Sequence, residues 1–231
     1  MLRFDGIDIR QDEFRLQADC VFGRGKVTAL IGPSGAGKST VLSVLAGFFD
    51  PVAGRVLWNG TEIQTLPPAE RPVSILFQDN NLFPHMTLAE NVGLALTPRR
   101  LKPSDLEKVE EVLASVGLEG FGQRRPGEVS GGQQSRAALA RALLADRPLV
   151  LLDEPFAALG PRLRGEMLDL VKTRLARPDR LVLMVTHGPE DARRIADEVA
   201  LVAEGRLHAP VPTAEIFAAP PPALAAYLGD D

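Results

Sequence analysis

An apolar run, Val27 to Ile31, stops at Gly32-Pro33-Ser34-Gly35-Ala36-Gly37-Lys38-Ser39-Thr40 and gives way to a helix-forming stretch, Ser39 to Phe48. The middle segment fits G-x-x-x-x-G-K-[ST], and strand before with helix after is the setting in which that pattern forms a phosphate loop. Glycines let the backbone wrap closely, so that successive N–H groups point at a β-phosphate. The dipole of the following helix adds to that field, and Lys38 reaches the β- and γ-oxygens. The Ser39 hydroxyl is placed to bind Mg2+. Average residue usage gives the bare pattern in roughly one chain in a hundred of this length, and the flanking strand and helix remove most such accidents.

The remaining apolar runs extend the same architecture. Val73 to Phe77, Leu149 to Leu152, Leu181 to Val185 and Val199 to Ala203 are short and end in polar or turn residues. Strands covered on both faces of a parallel sheet look like this. Helical stretches at Pro161 to Arg177 and Pro189 to Ala196 separate them, so the chain reads as α/β with a mainly parallel sheet. Met1 to Arg10 and Arg55 to Asn59 read as antiparallel additions, the second turning at Asn59-Gly60. Residues 79–147 carry helical periodicity instead, through Leu88 to Leu96, Ser104 to Val116 and Gln133 to Leu144. Ser104 and Glu107 predict a capping-box start for the second of these, with Gly117 its stop. The expectation is one domain, with a core of 1–78 and 148–231 and a helical insertion between. The Pro-rich end leaves room for little beyond a terminal helix.

Composition narrows the function. A formal net charge of −4 argues against a broad nucleic-acid surface. Arg99-Arg100-Lys102 and Arg124-Arg125 are local basic clusters that read as solvated surface. One cysteine, Cys20, excludes an internal disulfide framework, and three widely spaced histidines show no structural zinc pattern. No apolar stretch approaches the ~18 residues of a membrane span, and the first residues lack a signal-peptide layout. A cytoplasmic location is expected.

Further motifs follow the phosphate loop in order. Leu149-Val150-Leu151-Leu152-Asp153-Glu154 is a buried strand ending in two acids, at the strand end where doubly wound sheets place ligands. Asp153 would hold Mg2+ through water, and Glu154 would polarise an attacking water. Two acids at a strand end are common, so this reading depends on the phosphate loop upstream. Ser130-Gly131-Gly132-Gln133 opens a strong helix, whose free N–H groups and Ser130 hydroxyl form a second anion site, or a plain helix cap. Gln78 follows a strand and could reach Mg2+ or the water. His187 follows Leu181 to Thr186 and could donate to a γ-phosphate. Taken singly, each is more often a surface or structural residue, and their place in the series gives them weight.

This ordered set resembles the ATP-binding subunits of ABC transporters over essentially the whole chain. Gly32 to Thr40 looks like the Walker A loop, Gln78 like the Q-loop, Ser130 to Gln133 like the signature. Leu149 to Glu154 looks like Walker B, and His187 like the switch histidine. The resemblance implies a P-loop NTPase with a RecA-like core and inserted helical subdomain, ATP and Mg2+ as ligands, and catalysis by Glu154, His187, Lys38 and Gln78. It implies a head-to-tail homodimer in which Ser130, Gly131, Gly132 and Gln133 cover, in trans, ATP held by the partner's phosphate loop. Its other implied partners are integral-membrane permease subunits and, indirectly, a periplasmic substrate-binding protein. The implied place is the cytoplasmic face of a bacterial inner membrane, with no nucleic-acid role.

Within that family, Arg71 to His85, with Gly93-Leu94-Ala95-Leu96 after it, is similar to the motor subunits of thiamine importers. Leu82, Phe83 and Met86 fall where the family receives a short permease helix. Three departures stand out. Ala157-Ala158-Leu159-Gly160 replaces the usual Ser-Ala-Leu-Asp, and Val129 replaces a leucine before the signature. No aromatic sits plainly where one would stack on adenine, Phe14 being the nearest. An importer motor for iron, a polyamine or an anion remains open, as does a non-transport ABC ATPase. A small-molecule kinase is disfavoured by the Ser130 motif.

Overall fold

The computed structural model describes residues 1–229. A hairpin of β1 (Leu2–Gln11) and β2 (Phe14–Phe22) opens the chain, followed by β3 (Lys26–Ile31) and α1 (Lys38–Ala46). β4 (Ala53–Trp58) and β5 (Thr61–Glu62) return antiparallel, and β6 (Val73–Leu76) leads into the helical stretch α2 (Leu88–Gly93), α3 (Pro103–Ser115) and α4 (Gly131–Ala145). β7 (Leu149–Asp153), α5 (Pro161–Leu170), β8 (Leu181–Val185), α6 (Pro189–Ile195) and β9 (Glu198–Ala203) complete the alternation. Short β10 (Arg206–Leu207) and β11 (Val211–Pro212) precede α7 (Thr213–Ala218) and α8 (Pro222–Gly229).

The strands join in one sheet in the order β5-β4-β1-β2-β10-β9-β3-β8-β7-β6, with β11 beside β9. β9, β3, β8, β7 and β6 are mutually parallel. The four inner strands are almost wholly buried, as both-face coverage demands, while edge strand β6 is partly exposed: Leu149, Val150, Leu151 and Leu152 of β7 are each 0% exposed. Each such burial contributes roughly 1.5–3 kcal/mol relative to exposure. α1 packs one face, with the β1–β2–β4 layer beyond it, and α4 and α5 pack the other.

β2 is absent from the sequence reading, although Leu16, Ala18, Cys20 and Phe22 alternate inward with exposed Arg15, Gln17, Asp19 and Val21. Three smaller strands, β5, β10 and β11, also escape it. The predicted turn at Asn59-Gly60 is present, both residues being left-handed (φ 50° and 84°). α3 starts earlier than its predicted Ser104 cap. Lys102 is the N-cap, Asp105 Oδ2 accepts from Lys102 N at 3.0 Å, and Pro103 takes the first helical position, where its missing N–H costs nothing. The predicted helix to Arg177 ends instead in a π-helical turn, Val171–Leu175.

Residues 79–147 contain no strand. α2, α3 and α4 close their own apolar cluster around Leu88, Val92, Val109, Leu113 and Ala137. α4 also presents Ala138 and Leu139 to the sheet side. It is therefore the helix that joins this layer to the parallel strands. No helix among the described residues is long and apolar enough to cross a membrane.

Candidate active site

The loop after β3 is built on glycines that nothing else could replace. Gly32 has φ 152°, and a Cβ there would lie 2.0 Å from the Val202 carbonyl oxygen. Gly37, the N-cap of α1, has φ 100°, and a Cβ would lie 2.4 Å from Phe14 Cζ. Phe14, the nearest aromatic by sequence, thus lies with its ring edge against the loop. Lys38 is 5% exposed, and its Nζ donates to the carbonyls of Gly32 at 2.7 Å and Pro33 at 2.8 Å. Burial pulls its pKa down, opposed by the charges of Glu154 and Asp153. The ammonium is therefore folded into the cradle of its own loop, with two acids facing it.

Those acids leave the carboxyl end of β7. Ser39 Oγ donates to Asp153 Oδ1 at 2.9 Å, joining the first turn of α1 to the strand end. Burial raises the Asp153 pKa, against the lowering effect of the Ser39 hydrogen bond. A hydroxyl and a carboxylate so close are hard-oxygen donors suited to Mg2+, which takes few protein ligands and shares phosphate oxygens. Among the described residues no group of three or more His, Cys, Asp or Glu could hold a metal unaided. The pair fits Mg2+ carried in with phosphates.

Glu154 adopts a left-handed backbone at φ 46°, an uncommon conformation for a glutamate that turns the chain at the strand end. Its N–H donates to the Val185 carbonyl at 3.1 Å, and its Oε1 lies 2.6 Å from His187 Nε2. The contact follows from sheet order: β7 pairs β8 with Asp153 opposite Val185, so residues just past both ends meet.

The turn carrying His187 has its own support, which sequence reading missed. Thr186 Oγ1 donates to Asp191 Oδ2 at 2.7 Å and accepts from Gly188 N at 3.1 Å. Arg164 Nε from α5 donates to the same Asp191 oxygen at 2.9 Å, and the Tyr227 hydroxyl of α8 donates to the His187 carbonyl. An acid at 191, in the first turn of α6, was the one visible signal. A cavity of about 360 Å³ lies beneath, lined by Glu154, Phe156, Arg164, Thr186, His187 and Asp191.

Gln78 is exposed just past β6, which pairs β7 with Leu76 opposite Leu152, so it emerges beside the Asp153 strand end. Ser130 is the N-cap of α4: its Oγ accepts from Gln133 N at 3.3 Å, and Gln133 Oε1 accepts from Ser130 N at 2.9 Å. A Cβ on Gly132 would meet Leu163 Cδ2 of α5 at 2.2 Å. Among the described residues no hydrogen bond joins Ser130–Gln133 to Gly32–Thr40. Within one chain Lys38, Ser39, Asp153, Glu154, His187 and Gln78 all lie at or past the carboxyl ends of the parallel strands β3, β7, β8 and β6, whereas Ser130 to Gln133 open α4.

Residues 17–157 match a family model described as ABC transporter. The thiamine import ATP-binding protein ThiQ of Cereibacter sphaeroides is 58% identical over 230 residues, covering 99% of this chain and 100% of that protein. ThiQ of Ruegeria sp. is 54% identical over 99% of this chain and 100% of its own length. A dimeric post-hydrolysis state of the ATP-binding cassette MJ0796, bound to ADP and Pi, superposes with a TM-score of 0.78 at 26% identity, covering 92% of this chain and 99% of that one. On the family match and these full-length relatives, the chain belongs to the ABC transporter family.

Proposed function

We propose that this chain is the ATP-hydrolysing subunit of an ABC importer for thiamine. The observation that carries the chemistry is the Glu154–His187 contact at 2.6 Å, set beside the Ser39–Asp153 pair at 2.9 Å. In this reading the N–H groups of Gly32 to Thr40 cradle the phosphates, with Pro33, Ser34, Gly35 and Ala36 forming the turn. Lys38 leaves the carbonyls of Gly32 and Pro33 for the β- and γ-oxygens. Ser39, Asp153 and Gln78 would hold Mg2+, which when bound neutralises charge building on the phosphate oxygens. Glu154 orients the water and takes its proton as the water oxygen bonds to the γ-phosphorus and the bond to ADP breaks. His187 trades its carboxylate partner for the γ-phosphate and donates there.

Two copies are needed to finish the site. Among the described residues no hydrogen bond ties Ser130–Gln133 to the phosphate loop of their own chain, and this reading has a head-to-tail dimer supply them in trans. The dimeric state of the MJ0796 cassette agrees with that arrangement. The thiamine assignment rests on the ThiQ relatives, because cargo is handled by other subunits and touches no residue here. A permease pair would dock at Leu82, Phe83 and Met86, and Phe83 is 43% exposed. A periplasmic binding protein would act through that permease, and the subunit would sit at the cytoplasmic face of the inner membrane.

Deleting the gene and measuring uptake of labelled thiamine tests the reading. Rescue by the wild-type gene but not by Glu154→Gln is the expected result. Unchanged uptake on deletion would overturn the cargo while leaving the ATPase claim to direct assay.

A further inference from the structure

The loop after Gln78 is held by a residue that no motif singles out. Arg141, near the end of α4, donates through Nη1 to the Asn81 carbonyl at 2.8 Å and through Nη2 to the Asn80 carbonyl at 2.9 Å. Asn80 and Asn81 are consecutive left-handed residues, φ 60° and 45°. Even for asparagine, two in succession is unfavourable, so something must hold the turn. A planar guanidinium spans two adjacent carbonyls, whereas an ammonium serves them only as a point donor. Burial pulls the Arg141 pKa down, opposed by Asp79 in the same loop. The far end of the loop is tied as firmly. Asn91 of α2, 0% exposed, accepts from Phe83 N at 2.7 Å and donates to the carbonyls of Phe83 and Thr87, each at 3.0 Å.

We infer that Arg141 is a positioning residue that locks the Gln78 loop to the helix whose other end is Ser130–Gln133. This rests on the ATPase reading above. Arg141 lies eleven positions past Ser130 along the helix, about 16 Å at 1.5 Å per residue. A push on Leu82 or Phe83 is then delivered through one rigid rod to the Ser130 end, while Gln78 moves with it. Without the guanidinium, Gln78 and Ser130 lose their common reference.

The test compares purified wild type with Arg141→Gln by hydrogen exchange and steady-state ATPase. Amides of residues 78–82 should exchange about tenfold faster in the variant, with the rest of the chain unchanged. Its kcat should fall about tenfold while KM for ATP stays within about twofold. Unchanged exchange at 78–82 overturns the inference, as does a chain-wide rise in exchange with kcat and KM impaired together, which marks a packing role. If Arg141→Gln does not fold, Arg141→Lys carries the same test, with exchange raised less. Wild type that hydrolyses no ATP would sink the ATPase reading instead, leaving exchange at 78–82 to judge Arg141.

Discussion

His187 Nε2 lies 2.6 Å from Glu154 Oε1, although the two residues leave different strands and are far apart in the chain. Neither group is spare. Glu154 sits on a left-handed backbone at the strand end, and His187 sits on a turn tied through Thr186 to Asp191 and by its carbonyl to Tyr227. In the proposed reaction a γ-phosphate arriving here would take the place of the carboxylate beside His187. The resting site is therefore closed by the two groups that the proposed reaction uses.

Glu154→Gln keeps the shape of the side chain beside His187 but removes the proton acceptor. We expect ATP binding close to wild type and kcat lower by about 10²- to 10⁴-fold, the range of general-base losses. With ATP and Mg2+ the variant should accumulate as a dimer in light scattering. Normal turnover by the purified variant would contradict the assignment of the base.

Lys38→Ala acts at the earlier step. Charge-assisted hydrogen bonds are worth about 1.5–3 kcal/mol, so ATP affinity should weaken about 10- to 100-fold. Equilibrium titration with a fluorescent nucleotide measures this. Affinity within twofold of wild type would show that the lysine stays on the carbonyls of Gly32 and Pro33.

Much of this is legible in the sequence. The five parallel strands stand out because strands buried on both faces become continuous apolar runs, and the phosphate loop announces the strand and helix around it. β2 was overlooked for the converse reason: only Phe14, Leu16, Ala18, Cys20 and Phe22 face inward, so no run exists. The Glu154–His187 contact was beyond sequence, because nothing local says that β7 and β8 are neighbours. Arg71 and Arg141 look like surface arginines on paper. Their partners are main-chain carbonyls, which leave no trace in residue identity.

Asp153 predicts a pH effect on stability. Burial disfavours the ionised form, so the folded carboxyl keeps its proton above the ordinary value of 3.8. Below that value both states are protonated and the site is neutral toward folding. As pH rises through the folded pKa the half-buried group ionises and stability is lost. Nucleotide-free Asp153→Asn should therefore melt higher than wild type at pH 7, with the gap closing toward pH 4. Melting curves at both values check this, and a gap that widens on acidification would reverse the sign.

Arg71 is 2% exposed and donates to four carbonyls: Val44 at 2.6 Å and Leu45 at 3.1 Å from α1, Gln64 at 2.7 Å and Leu66 at 2.9 Å. It closes the C-terminus of the helix that begins at the phosphate loop. Arg71→Met would strand those acceptors at a cost of about 3 kcal/mol or more. Urea unfolding should show a lower midpoint with an unchanged slope. A shift equivalent to less than 1 kcal/mol would mean that water replaces the guanidinium.

Gly160 stands where the family resemblance leads one to expect aspartate, and the backbone gives no reason for the glycine. Its φ of −62° and ψ of 157° suit any residue, and a Cβ there would meet nothing within 4 Å. It is the N-cap of α5 without a side-chain acceptor. Gly160→Asp would let a carboxylate accept from the N–H of Leu163, adding a few tenths of a kcal/mol. In the proposed dimer the same carboxylate would reach toward the partner's site. Leu163, three residues on, packs against Gly132 of the signature, so the substitution stiffens a loop beside that motif. We expect a slightly higher melting temperature and a higher transport-coupled ATPase rate in the reconstituted importer. If melting rises while the coupled rate does not move, the capping argument survives and the loop is shown to work as well with glycine.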